Sequence, residues 1–392
     1  MFLFFLLIFA PPLIFADQPS HHPVLDILNG PHYSKDIRPL PITPNNPTES
    51  NSTGNATVIK VNISVKKIDR IDELKMEFAA QLVFRQMWQD QRLMYNGTQS
   101  DYFTLIDDVA EKIWSPDLFF TNEGASSIHN TFKLNTFKRV YPNGQVIWSS
   151  RITVTFGCQM DLTYFPFDSQ ICSMEISEYS ETIGHILLVW DGDDPVELVE
   201  SRNSRLSQFT LTDIKTSGRS SGRLGVWRMG DFSKISADFY LRRHSTVYML
   251  LIYLPSTLIV TLTWISFWLG PSISARLSLT LTLLLTMTAQ IQGANQNLPK
   301  VSYVKAVDVW TGFCTTIAVL AIMETATVAF LLQRNKIFFT PVGDEEDNLK
   351  DDKQERISRY NSFARKMDKL CSILFPFTFA TFTMCYVFVY VV

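Results

Sequence analysis

The sequence predicts an α+β membrane protein: an extracellular β-sandwich of about ten strands followed by a four-helix transmembrane bundle. Three observations carry that expectation. Apolar residues crowd into four long runs in the C-terminal third, the N-terminal half alternates apolar and polar residues with period two, and that half alone holds glycosylation sequons. A helix needs about 20 apolar residues to cross a bilayer, whereas period-two alternation belongs to strands with one buried face.

Residues 1–16, MFLFFLLIFAPPLIFA, form an apolar stretch that ends in a small residue before Asp17, and they read as a secretory signal peptide. Four Asn-X-Ser/Thr sequons follow, at Asn51, Asn55, Asn62 and Asn96. A glycan requires the lumenal side, so these place the N-terminal half outside. The stretch 22–55, rich in Pro, Asn and Ser, is expected to be a mobile lead-in or a short capping helix. Cys158 and Cys172 lie in the exported half, while Cys314, Cys371 and Cys385 fall within the apolar runs. An exported pair with no other partner is most simply one disulfide.

Residues 17–245 are expected to form the sandwich. Segments such as Val58-Ile-Lys-Val-Asn-Ile-Ser-Val65 and Ile235-Ser-Ala-Asp-Phe-Tyr-Leu-Arg242 alternate, and turn signals such as Pro142-Asn-Gly144 separate them. The apolar runs then cover roughly 246–269, 277–291 with its flanks, 304–332 and 371–392. An even number of crossings returns the C-terminus to the outside. The connection 333–370 then lies in the cytoplasm, with Arg334, Lys336, Arg365, Lys366 and Lys369 near its ends as the positive-inside rule requires. An amphipathic helix is expected within it from about Gln354.

Composition excludes other classes. With 35 Lys+Arg against 38 Asp+Glu the net charge is -3, which offers no polycation for a nucleic-acid backbone. There is no phosphate loop, CxxC pair, HExxH or nucleophile elbow, so neither an enzyme nor a cofactor or metal site is expected.

The segment Cys158-Gln-Met-Asp-Leu-Thr-Tyr-Phe-Pro-Phe-Asp-Ser-Gln-Ile-Cys172 resembles the signature loop of the Cys-loop receptors, the pentameric ligand-gated ion channels. Ile113-Trp-Ser-Pro-Asp-Leu-Phe-Phe-Thr-Asn-Glu123, Trp88-Gln-Asp-Gln-Arg-Leu93, Pro142-Asn-Gly-Gln-Val-Ile-Trp-Ser149 and Leu298-Pro-Lys-Val-Ser-Tyr-Val-Lys-Ala-Val-Asp-Val-Trp310 resemble family segments in the same order. The wording is most similar to the glycine-, GABA- and glutamate-gated chloride branch. The resemblance implies a multi-pass plasma-membrane subunit, of a kind found at postsynaptic membranes, with both termini outside. It also implies a homo- or hetero-pentamer in the lipid bilayer, opened by a small-molecule agonist to pass an anion, with chloride favoured.

It further implies roles for residues. Tyr179, Phe232 and Phe119 would belong to an aromatic box for an ammonium group. On the opposing face Arg85 would take a carboxylate through its planar fork, with Ser149 and Arg151 on the neighbouring strand. The tip Phe165-Pro166-Phe167 would couple to the membrane domain through the turn 66–72, Arg242-Arg243, Leu298, Pro299 and Lys300. Departures leave the agonist open. Glu178 and Glu181 stand where relatives carry neutral or aromatic residues, Val83 replaces an aromatic, and Lys66 replaces an arginine. An amine, a proton or a metal ion meeting the two acids is therefore an alternative to glycine or glutamate.

In the pore segment, 275–297, Ser278, Thr282, Leu285 and Ala289 stay within about 40° of one direction at 100° per residue. Five copies would give hydroxyl rings towards the cytoplasm and a Leu285 ring as the gate. Ser274-Ala275-Arg276 lacks the acid of cation-selective relatives, and Arg276 is expected to favour anions at the mouth. The shorter preceding linker and Ser274 in place of proline keep a cation-conducting member open, and a non-conducting partner subunit is a further alternative.

Overall fold

The computed structural model describes residues 23–40, 56–96, 101–199, 206, 208–223, 230–269, 272–296, 298–338 and 347–391. The signal-peptide stretch 1–16 and the sequons Asn51 and Asn55 lie outside them. Strands in chain order are β1 Thr57–Asp72, β2 Glu77–Gln89, β3 Phe103–Leu105, β4 Leu118–Phe120, β5 Glu123–Ile128 and β6 Thr136–Val140. They continue as β7 Gln145–Gly157, β8 Ser169–Glu178, β9 Ile186–Trp190, β10 Val196–Leu198, β11 Phe209–Arg223 and β12 Asp231–Arg243. β3, β4 and β10 have three residues each, too short to show an alternation in sequence, which is why more strands form than the ten expected.

The strands build two sheets. One has eight strands, ordered β10-β1-β2-β7-β6-β3 with β5 on β7 and β9 on β1; the other has four, ordered β11-β12-β8-β4. Alternation sets their facing sides. Ile59, Val61, Ile63 and Val65 of β1 are fully buried, and Met174, Ile176, Ala237 and Phe239 answer them from the second sheet. The Asn143-Gly144 turn joins β6 to β7. Gly144 has φ 79°, and a Cβ there would lie 2.5 Å from the Asp90 carbonyl oxygen, so only glycine fits. A short helix, α1 Pro23–Leu28, caps the sandwich with Val24 and Leu28 buried.

Four helices are long and apolar enough to cross a membrane, over Thr246–Trp268, Ile273–Asn295, Ala306–Phe330 and Arg365–Tyr390. The first contains one π-turn, Met249–Tyr253. Gln290 on the second helix donates to the Ile252 carbonyl at 3.0 Å, serving an acceptor that this wider turn presents. Aromatic packing joins the first, third and fourth helices. Tyr253 and Tyr386 share a 2.7 Å hydroxyl contact, Trp310 Nε1 donates to Ser256 Oγ at 2.8 Å, and Phe313 stacks on Phe382 at 3.6 Å.

The third helix runs on to Phe338, and the fourth begins at Asp347 as one element reaching Tyr390. The expected cytoplasmic loop 333–370 is therefore helical at both ends, and the helix expected from about Gln354 is continuous with the membrane span.

Candidate functional sites on the sandwich and in the bundle

On the outer face of the eight-stranded sheet, Arg85 of β2 pairs in register with Asn62 of β1 and Ser149 of β7, and Ser149 pairs with Phe137 of β6. These residues form one row across four strands. Arg85 Nη1 donates to Asn62 Oδ1 and Ser64 Oγ, each at 2.8 Å. Both partners are neutral, so they aim the guanidinium without cancelling its charge. Ser149 is buried beside it, and Arg151, opposite Val83, is exposed. The sequon Asn62-Ile63-Ser64 thus supplies both acceptors to Arg85; Asn96 is exposed.

On the four-stranded sheet Phe119 of β4 meets Tyr179, just beyond β8, edge to face at 5.7 Å. Tyr179 is 65% exposed, and its backbone N–H donates to the Asp117 carbonyl at 3.0 Å. This pair is a ready aromatic wall. Phe232 differs from expectation: it lies buried in β12, opposite Gly222, although it shares the parity of the half-buried Lys234, Ser236 and Asp238 rather than that of the core residues Ile235 and Ala237. Glu181 also differs, since its Oε2 pairs with His185 Nδ1 at 2.5 Å.

Glu178, one of the two acids that the sequence sets apart here, directly precedes Tyr179. It is fully buried at the end of β8, Ser180 Oγ donates to Oε1 at 3.0 Å, and Oε2 has no hydrogen-bond partner among the described residues. Loss of solvent raises its carboxyl to about 7; the Ser180 hydrogen bond opposes this, and the nearby Asp117 carboxylate adds to it. Lys138, missed in the sequence, is buried and donates to the carbonyls of Ala110 and Ile113 at 2.9 and 3.0 Å, pinning the loop that leads to β4. Burial pushes this amine down to about 8.

The Cys158–Cys172 bond is formed, and its loop meets the bundle. Phe165 is fully buried with Tyr248 at 4.7 Å between ring centres, and Phe167 lies 6.0 Å from Tyr253; Pro166 follows a cis peptide bond. Ala306 N and Val307 N donate to the carbonyls of Thr163 and Phe165 at 2.8 and 3.2 Å, and Tyr303 Oη accepts from Leu162 N at 2.9 Å. These contacts fall beyond Pro299 and Lys300, the expected partners, because the start of the third helix itself presents unpaired N–H groups to the loop. Arg242 is likewise displaced from its expected role. It is exposed, whereas the next residue, Arg243, is buried on the opposite side of the strand. Arg243 bonds Asp168 at 2.8 Å, reaches Glu73 of the β1–β2 turn, and covers the Phe165 and Phe209 rings at 4.8 and 4.4 Å.

In the second long helix Ser278, Thr282, Leu285 and Ala289 are all exposed, Leu285 by 71%. The opposite side, Arg276, Thr280, Leu283 and Met287, is buried. Arg276 therefore does not stand at the mouth as expected. Ser274 and Ala275 are exposed there, and the first turn holds no acid.

A model of the neurotransmitter-gated ion-channel ligand binding domain matches residues 24–245, and one of the neurotransmitter-gated ion-channel transmembrane region matches 252–338. The chain belongs to the neurotransmitter-gated ion-channel family. Members of this family are channels, not enzymes. The chain is 38% identical over 311 residues to a glutamate-gated chloride channel of Drosophila melanogaster, covering 78% of this chain and 65% of that one. It is 38% identical over 280 residues to the gamma-aminobutyric acid receptor subunit rho-2 of Bos taurus and of Homo sapiens, covering 71% of this chain and 59% of each subunit. The chain thus matches less than two thirds of the length of these neurotransmitter-gated relatives.

Proposed function

We propose that the chain is a subunit of a ligand-gated anion channel, five copies or homologues surrounding a pore lined by the second long helix. The observation that carries this reading is the exposed stripe Ser278, Thr282, Leu285 and Ala289, polar at one end and apolar in its middle, on a helix whose other side packs against its neighbours. A helix leaving such a face unburied in a bundle has an aqueous path or an equivalent helix beside it. Chloride as the ion is supported by the relatives and by Ser274 and Ala275, whose helix N-terminus carries positive partial charge with no acid in its own first turn.

The agonist site is proposed between subunits. Phe119 and Tyr179 sit on one sheet and Arg85 with Ser149 on the other, so one copy supplies an aromatic wall and its neighbour a carboxylate clamp. An amino acid carrying both groups fits this pair of faces. With the sandwich and both termini outside, agonist binding favours the state in which the Cys158–Cys172 loop shifts the third helix and with it the pore helix.

Two-electrode voltage clamp on cells expressing this chain tests the reading. Glutamate, glycine, GABA, amines, zinc and pH steps are applied in normal and low chloride. An agonist-evoked current whose reversal follows chloride is expected. A reversal following sodium would refute the anion assignment, and silence with protein at the surface would favour a non-conducting partner subunit.

A further inference from the structure

Arg276 occupies the second turn of the pore helix, yet it is 2% exposed. At 100° per residue it points about 120–180° away from the residues of the pore stripe. Its Nη2 donates to Glu324 Oε2 on the third helix at 3.0 Å and to Asp368 Oδ1 on the fourth at 2.8 Å, while Nη1 reaches Asp368 Oδ2 at 3.3 Å. Glu324 is buried as well, and Asp368 is four-fifths buried. Two carboxylates thus enclose one guanidinium where three helices meet. An ion inside apolar surroundings persists only when paired, and this one is paired on both sides.

We propose that Arg276, Glu324 and Asp368 form a buried charge clasp that fastens the cytoplasmic ends of the third and fourth helices to the base of the pore helix, and that Arg276 exerts no pull on permeating ions. The charge is countered inside the bundle by two carboxylates, so Arg276 leaves no uncompensated positive charge for the mouth. The selectivity half of the inference rests on the channel reading above; the assembly half does not.

The test uses the full-length chain in oocytes, with surface biotinylation as the first readout. R276M strands two carboxylates inside the bundle, and surface protein should fall at least fivefold. The neutral variant R276M/E324Q/D368N strands nothing and should return surface protein to within twofold of wild type. Wild-type surface levels for R276M, or no recovery in the triple variant, would overturn the clasp.

The second readout places the triple variant on an L285S background, where a standing current removes the need for an agonist. Lowering external chloride should shift its reversal potential as much as that of L285S alone. A reversal that ceases to follow chloride only in the triple variant would show that Arg276 acts on the permeating ion. If L285S itself gives no chloride-following current, the channel reading fails, while biotinylation still decides the clasp.

Discussion

Arg243 and Asp168 meet through two hydrogen bonds, Nε to Oδ1 at 2.8 Å and Nη2 to Oδ2 at 3.2 Å, with both side chains withdrawn from water. The pair ties the last strand of the sandwich to the disulfide loop at the point where the chain enters the membrane. Removing Asp168 leaves the buried Arg243 with Glu73 as its remaining carboxylate partner, so the cost is expected at the lower end of the about 3–5 kcal/mol typical of breaking a buried pair. Asp168→Ala is therefore expected to lose most of its surface protein by biotinylation, whereas Arg242→Ala, on the exposed side of the same strand, should lose almost none. Equal losses would remove the distinction drawn between the two arginines.

Arg85→Ala is expected to raise the half-maximal concentration of a carboxylate agonist at least tenfold, about 1.4 kcal/mol. Asn62→Ala keeps the guanidinium but takes away one of its two acceptors, so its shift should be smaller. Combining the two should be no worse than Arg85→Ala alone, since the asparagine would act only through the arginine. Additive shifts in concentration-response curves would separate them.

Leu285→Ser replaces the apolar centre of the exposed stripe with a hydroxyl. A wetted ring no longer excludes water from the closed pore, so a standing current without agonist is expected under voltage clamp. A silent resting channel with an unaltered response curve would move the gate elsewhere along the helix.

Glu178 makes stability depend on pH. Its folded carboxyl titrates near 7, above the usual value of 4.5, so between these values the folded chain holds a proton that the unfolded chain has released. Stability from this group is complete below about pH 4.5 and is lost as pH rises towards 7, by at most about 3 kcal/mol. Glu178→Gln keeps the neutral form at every pH. Melting of the full chain in detergent should show the variant matching wild type near pH 4.5 and exceeding it at pH 7.5. A constant difference across that range would mean that Glu178 does not titrate there.

Much of this architecture is legible from residue order alone. The period of β1 and β12 and the apolar lengths of the four runs specify sheets and spans without long-range information. The direction of a charged side chain is less accessible. Arg242 and Arg243 are neighbours, and only the strand's phase against the second sheet decides which is buried. Arg276 follows two residues judged by their place in the linker, and its partners Glu324 and Asp368 are 48 and 92 positions away. A single glutamate inside the third apolar run was the available signal, because an acid at that depth needs a cationic partner. Phe232 is expected in the aromatic box, and its burial is illegible in sequence because its place in the alternation of β12 is that of the half-buried Lys234 and Ser236.

The joint between Thr163 or Phe165 and Ala306 or Val307 is made by main-chain atoms on both sides. A scan that trims side chains one at a time would pass over it without a phenotype, however much it transmits. Its strength is also indifferent to which residues occupy those positions, proline excepted, so the loop can drift in sequence while the linkage persists. Proline at 306, or an ester in place of that amide, deletes a single donor and leaves every side chain of the loop intact; such a backbone edit would measure how much of the movement passes from sandwich to bundle through this seam.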